Sequence, residues 1–167
     1  SYLNDYIDLT SALYREGKVV SDNYKENLRL QINSLSLPKE VKVRYGVTIK
    51  RANLRNLPTG EGLFSSDGDR DFDVLQETVL DPGEAVAILH TSTNGYFYYV
   101  QAYNYRGWLS KFDIAETNRE TWLSYVEPQK FLVVTGKSYT LKTNSQAMLF
   151  QQGARLKFND KSDEKYI

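Results

Sequence analysis

Apolar and polar positions fall into three textures along the chain. From Ser1 to about Leu37 the spacing is helical. Leu3, Tyr6, Ile7, Leu13 and Tyr14 lie near one helical face, with Asn4 as a cap and Gly17 as a stop. A second helix is capped by Ser21 or Asp22, carries Tyr24, Leu28, Ile32 and Leu35 as an apolar stripe, and ends by Pro38. Two short helices cannot enclose a core alone, so both are expected to pack on the chain beyond Pro38.

From Val41 to about Ile114 the period drops to two. Val41, Val43, Tyr45 and Val47 alternate with Lys42, Arg44, Gly46 and Thr48, as in a strand with one face buried. Ala52–Leu57, Ala85–Thr91, Tyr96–Tyr103 and Gly107–Lys111 read as further strands. Turn residues separate them: Pro58-Thr59-Gly60, Asp81-Pro82-Gly83, Thr93-Asn94-Gly95 and Asn104 to Gly107. Asn94-Gly95 is the strongest signal, because both residues tolerate the positive φ of a tight hairpin. Short strands joined by turns predict a small barrel or sandwich. Its one long excursion, Thr59 to Asp81, is where such a barrel would carry a binding loop.

Beyond Glu116 the pattern weakens. Thr117–Tyr125 reads as a short helical turn carrying Trp122, and Lys130–Thr135 as a buried strand. Ser138–Leu141 and Ala147–Phe150 read as additional strands. The polar end, Asn159 to Ile167, stops in mid-pattern and reads as a truncation.

Composition narrows the function. Of 167 residues, 41% are apolar and 25% charged, enough apolar content for a packed core. Lysine plus arginine (21) balances aspartate plus glutamate (21), which disfavours non-specific nucleic-acid binding driven by counterion release. No apolar run has the length of a membrane span. The chain starts at Ser1 without a methionine or a visible signal peptide, which fits a leader already removed. There is no cysteine, so disulfides, thiolate zinc sites and a thiol nucleophile are excluded from this chain. That absence also fits a protein exported by a bacterium.

Candidate chemistry is sparse. His90 is the only histidine and sits inside a predicted strand, where a structural role is expected. Asp67, Asp69, Asp71 and Asp73 are spaced two apart, but neither EF-hand register places the required glycine and glutamate: the positions hold Phe72 and Thr78, or Val74 and Leu80. Ser36-Leu37-Pro38-Lys39 matches S-x-x-K only formally, since the proline breaks the helix that motif needs. Gly60-Glu61-Gly62 lacks the third glycine of a nucleotide loop. No catalytic residue, cofactor or metal is expected. The informative stretch is Tyr96 to Trp108. On a strand, Tyr96, Tyr98 and Val100 face one way while Phe97, Tyr99 and Gln101 face the other. One aromatic face can serve a core and the other a ligand.

Taken in order, these strings resemble one family. Arg55-Asn56-Leu57-Pro58-Thr59, Asp73-Val74-Leu75-Gln76 followed by Leu80-Asp81-Pro82-Gly83, Ser92 to Val100, and Tyr105-Arg106-Gly107-Trp108 resemble the first bacterial SH3 (SH3b1-type) domain of multi-domain NlpC/P60 cell-wall peptidases. Tyr96-Phe97 departs from the tryptophan usual in that hairpin. The resemblance implies a mainly β chain in three parts. These are a helical N-terminal clip over 1–40, a bacterial SH3 domain, an SH3-like small barrel, over 41–126, and the truncated start of a second SH3-like domain over 127–167. It further implies a non-catalytic accessory region, extracytoplasmic in a bacterium. The full protein would cleave peptidoglycan stem peptides next to γ-D-glutamate, and its catalytic domain, with the cysteine and histidines, is missing here.

In that setting Arg55 is a partner for a stem-peptide carboxylate, and Asp73 and Gln76 are candidates for an amine or amide. Tyr98, Tyr105 and Trp108 would form an apolar wall. Plainer roles stand beside these: Asp73 and Gln76 pinning the loop to the barrel, and Trp108 in the core. Two other functions remain open, an SH3-like adaptor binding an extended peptide and an inert structural fragment.

Overall fold

The computed structural model of the chain describes residues 9–144 and 147–158. Leu3, Asn4, Tyr6 and Ile7, and the tail from Asn159, lie outside the described residues. The predicted first helix does not extend over Leu13 and Tyr14. Instead Tyr14–Arg15 (β1) and Lys18–Val19 (β2) pair as a hairpin. Glu16 and Gly17 turn it with φ of 52° and 78°. Gly17 thus makes a tight turn rather than a helix stop, because two consecutive positive φ values are what a short hairpin needs.

Helix α1 spans Asp22–Gln31, and the Ser21 hydroxyl accepts from the Tyr24 amide at 3.3 Å, as expected of its cap. Leu28 and Ile32 are buried. Leu35 is 99% exposed, because Asn33 adopts a left-handed conformation (φ 59°) and a 3-10 turn follows at Ser34–Ser36. The helix stops early for a tertiary reason. Thr93 donates through its hydroxyl to Leu30 O (2.7 Å) and through its amide to Gln31 O (3.1 Å), and Asn33 Nδ2 donates to Thr91 O. The last carbonyls of α1 are therefore met by a hairpin of the barrel.

Seven antiparallel strands form the barrel: β3 (Arg44–Thr48), β4 (Ala52–Arg55), β5 (Gln76–Leu80), β6 (Ala85–Thr91), β7 (Phe97–Gln101), β8 (Arg106–Ser110) and β9 (Ile114–Thr117). Their order in the sheet is β5-β4-β8-β7-β6-β3-β9. Leu54, Leu80, Val86, Ile88, Val100, Leu109 and Ile114, drawn from β4 to β9, meet in one buried cluster, so the sheet wraps around its own interior. The sequence marked β6, β7 and β8 to within two residues. It missed β5 and β9, edge strands in which polar residues interrupt the alternation. Val41 and Val43 precede β3 and are exposed. At the Asn94-Gly95 turn only Gly95 takes positive φ (71°), while the Asn94 side chain accepts from Ser92 Oγ and the Tyr96 amide.

Beyond the barrel, α2 (Arg119–Val126) is capped by Asn118, which accepts from the Thr121 amide. Two small sheets follow among the described residues: β10 (Phe131–Val133) with β13 (Arg155–Lys157), and β11 (Ser138–Lys142) with β12 (Ala147–Gln151). Strand β10 is exposed rather than buried as predicted. Among the described residues its sheet has two strands, and the small core beyond the barrel centres on Val134, Phe150 and Ala154. The chain is thus mainly β, with a short helix before the barrel and small sheets after it.

Candidate functional site

The six residues singled out from the sequence do not converge. Three of them hold the long loop and the clip to the barrel. Arg55, 4% exposed on β4, pairs through Nη1 with Asp73 Oδ2 at 2.7 Å and donates from Nη2 to Glu61 O at 2.6 Å. Asp73 Oδ1 accepts from the amides of Leu63 (3.1 Å) and Leu75 (3.0 Å). One carboxylate therefore ties two points of the Thr59–Asp81 excursion to a buried guanidinium, so its charge is compensated inside the fold. Trp108 is 1% exposed and lies in a second core, where Leu13, Val20, Leu28 and Ile32 of the clip meet Leu57, Leu63 and Leu75 of the barrel. Tyr99 packs on it at 5.3 Å between ring centroids. His90 lies at 6.2 Å, and its Nε2 bonds the carbonyl of Asn33, a structural contact.

The same seam carries a latch that the sequence did not reveal. Glu61 receives Arg15 at 2.5 Å and the phenol of Tyr24, so the clip hairpin and helix both close on the loop. The hydrogen bond from Tyr24 holds the Glu61 carboxyl below its ordinary value, against the effect of burial. Glu61 showed no signal because its partners lie 37 and 46 residues away.

Tyr98 lies on another face. Its hydroxyl donates to Glu116 at 2.7 Å, and Arg44, paired with Glu116 at 3.0 Å, sits 4.6 Å over its ring. Burial, then the bond to Glu116, pushes the phenol pKa up. Gln76 is exposed on β5. The side chain of Asp69 accepts from the amides of Asp71 and Phe72, so it shapes the acidic loop locally.

Tyr105 leads to a cavity. It lies in the β7–β8 loop and, with Tyr103, forms one rim of a groove of about 750 Å³ between the barrel and the C-terminal sheets. That volume suits a small ligand. The β5–β6 turn contributes Asp81 and Glu84, α2 contributes Trp122 and Tyr125, and β13 contributes Arg155 and Lys157. Trp122 packs on Tyr45 of β3 at 4.9 Å, which fixes α2 against the barrel. Its Nε1 is buried and has no acceptor among the described residues. Such a donor costs about 1–3 kcal/mol when left unmet. Lys157 donates to Ser124 Oγ at 2.6 Å and sits over the ring of Tyr125.

Burial, then the neighbouring Asp81, pushes the Glu84 carboxyl above its ordinary value of 4.5, and Arg155 offsets part of this. A carboxyl raised on folding contributes stability below its unfolded-state pKa and loses it as pH rises through the folded-state pKa. Glu84→Gln is therefore expected to raise the melting temperature at pH 7 and to have no effect near pH 3. The gain should be below about 1 kcal/mol, because the carboxylate stays partly solvated. Thermal melts at the two pH values check it.

Among the described residues no group of three or more histidine, cysteine, aspartate or glutamate side chains is placed to hold a metal ion. Nor is any helix among them long and apolar enough to cross a membrane.

Comparison with known proteins gives the barrel its type. Residues 63–110 match the family model "SH3 domain (SH3b1 type)". No curated protein matches the chain. Among solved structures it is similar to one described as a novel NlpC/P60 endopeptidase from Photobacterium damselae subsp. piscicida, with a TM-score of 0.72 and 18% identity. The match covers 95% of this chain and 36% of that one, so the present chain spans about a third of the other's length. At this identity the likeness is one of fold. It extends past the barrel to nearly the whole arrangement of clip, barrel and C-terminal sheets.

Proposed function

We propose that the chain is the non-catalytic, peptidoglycan-binding and substrate-groove-forming region of an NlpC/P60-type γ-D-glutamyl peptidase, located outside the bacterial cytoplasm. The observation that carries this reading is the SH3b1-type match over 63–110, set within a fold shared along 95% of the chain with an NlpC/P60 endopeptidase. The absence of cysteine fits a region that leaves the thiolate chemistry to a separate catalytic domain. Within it, Arg55, Asp73 and Trp108 act by fixing the loop and the clip. Tyr105 and Gln76, which are exposed, and Tyr98, at the surface beside Arg44, are the groups open to a stem peptide.

The chain is expected to sediment with purified peptidoglycan, to be released by soluble muropeptides, and to bind several-fold more weakly as Tyr105→Ala. Failure of the intact chain to sediment with the wall, or to bind muropeptide, would overturn a direct binding role. One observation favours a second reading, an adaptor for an extended peptide. Strand β5 is an outer strand of the sheet, and its Thr78–Leu80 segment borders the groove, where an added strand could pair. Capture of an unmodified linear peptide in preference to muropeptide would select it.

A further inference from the structure

The groove beside Tyr105 has carboxylates on one wall and cations on the other. Glu84 and Asp81 stand on the β5–β6 turn, while Arg155 and Lys157 stand on β13. Glu84 and Arg155 are close enough to influence one another, yet among the described residues they form no ion pair. Arg155 lies over the ring of Phe131 at 5.1 Å. Among the described residues the Asp81 carboxylate accepts at 3.4 Å from the Gln151 amide and forms no ion pair. Among the described residues, carboxylate and guanidinium groups around one cavity are thus left without an ion-pair partner. The indole of Trp122 lines the groove between them and offers an apolar surface.

We propose that this groove binds a short zwitterionic peptide, its ammonium against Glu84 and Asp81, its carboxylate against Arg155, and its apolar part against Trp122 and Tyr105. A ligand with one charge would leave the opposite wall unpaired, so both charges are needed for tight binding. The site is separate from the Arg55–Trp108 seam. It rests on the wall-peptide reading only for the choice of probe.

The chain has two tryptophans, and Trp108 is enclosed in the core, so their indole N–H signals provide a reporter and an internal control. The probe is L-alanyl-γ-D-glutamyl-L-lysine, titrated into the full chain and followed by nitrogen–proton correlation spectra, with Trp122→Phe assigning the signal. The Trp122 signal is expected to shift saturably while that of Trp108 stays in place. Acetylation of both amines of the peptide or Glu84→Gln should weaken binding about tenfold, and amidation of its carboxylates or Arg155→Gln should do likewise. Because Glu84→Gln is expected to stabilise the fold, a loss of binding in that variant cannot be ascribed to unfolding. An unshifted Trp122 signal at millimolar peptide, or acetylated and amidated peptides that bind as tightly as the unmodified one, would overturn the proposal. If the chain still sedimented with peptidoglycan in that case, the wall-binding reading would stand without it. Equal binding of L-alanyl-L-glutamyl-L-lysine would support the zwitterion site and argue against a wall-specific ligand.

Discussion

Replacing Trp108 with alanine is expected to lower the unfolding free energy by about 3–5 kcal/mol, the usual cost of emptying a buried aromatic site. The indole is 1% exposed and belongs to the core shared by the clip and the barrel. Its backbone lies opposite Arg55 on one side and Tyr99 on the other, so the strand cannot shift to close the void without disturbing two pairings. The loss should fall on the clip in particular. Leu28 of α1 and Ile32 at its C-terminal cap use this core, and the hydrogen bonds to Glu61 and from Thr93 add to the hold on the helix. Urea denaturation measures the total, and hydrogen exchange of α1 amides tests the location. Trp108→Phe keeps much of the ring and should cost about 1–2 kcal/mol. A Trp108→Ala protein within about 1 kcal/mol of the parent would mean the clip does not depend on this ring.

Asp73→Ala is expected to cost about 3–5 kcal/mol, because it leaves the Arg55 guanidinium buried without its counter-charge. The side chains are 5% and 16% exposed for Arg55 and Asp73, and Arg55 Nε already lacks a hydrogen-bond partner among the described residues. The substitution also frees the amides of Leu63 and Leu75, so the loop would detach at both points. Charge and packing separate in the double variant Arg55→Met with Asp73→Leu. Removing both charges together should recover a large part of the loss. Equilibrium denaturation of the double variant and of its two single variants, Arg55→Met and Asp73→Leu, gives the coupling energy. Additive effects would show that the two side chains act independently.

Much of this architecture was legible in the sequence because it rests on local rules. The Ser21 cap and the Tyr24, Leu28, Ile32 spacing predicted α1, and alternation together with Gly95 predicted the β6–β7 hairpin. The ordered strings from Arg55 to Trp108 pointed to an SH3b1-type barrel. The failures were also local. Glu16-Gly17 makes a hairpin turn that looks like a helix end, and Gln76 to Leu80 pairs as an edge strand although its polar residues hide the alternation. The apolar run Phe131 to Val133 gives no sign that its sheet has only two strands.

The candidate site was legible only in its residue types. Tyr105 was marked as a ligand contact, and it does border a cavity. Glu84, Trp122 and Arg155 carried no recognisable signal, because each is ordinary in its own segment. Sequence by itself determined a cysteine-free, mainly β chain with an aromatic barrel and a capped helix before it, since backbone preference and apolar periodicity act over a few residues. Tertiary structure alone decided that Trp108 lies under the clip, that Asp73 answers Arg55, and that the β5–β6 turn, the β7–β8 loop, α2 and β13 surround one groove. The physical reason is that alternation fixes which face of a strand is apolar but not what covers it. A charge finds its partner only when distant segments are folded together.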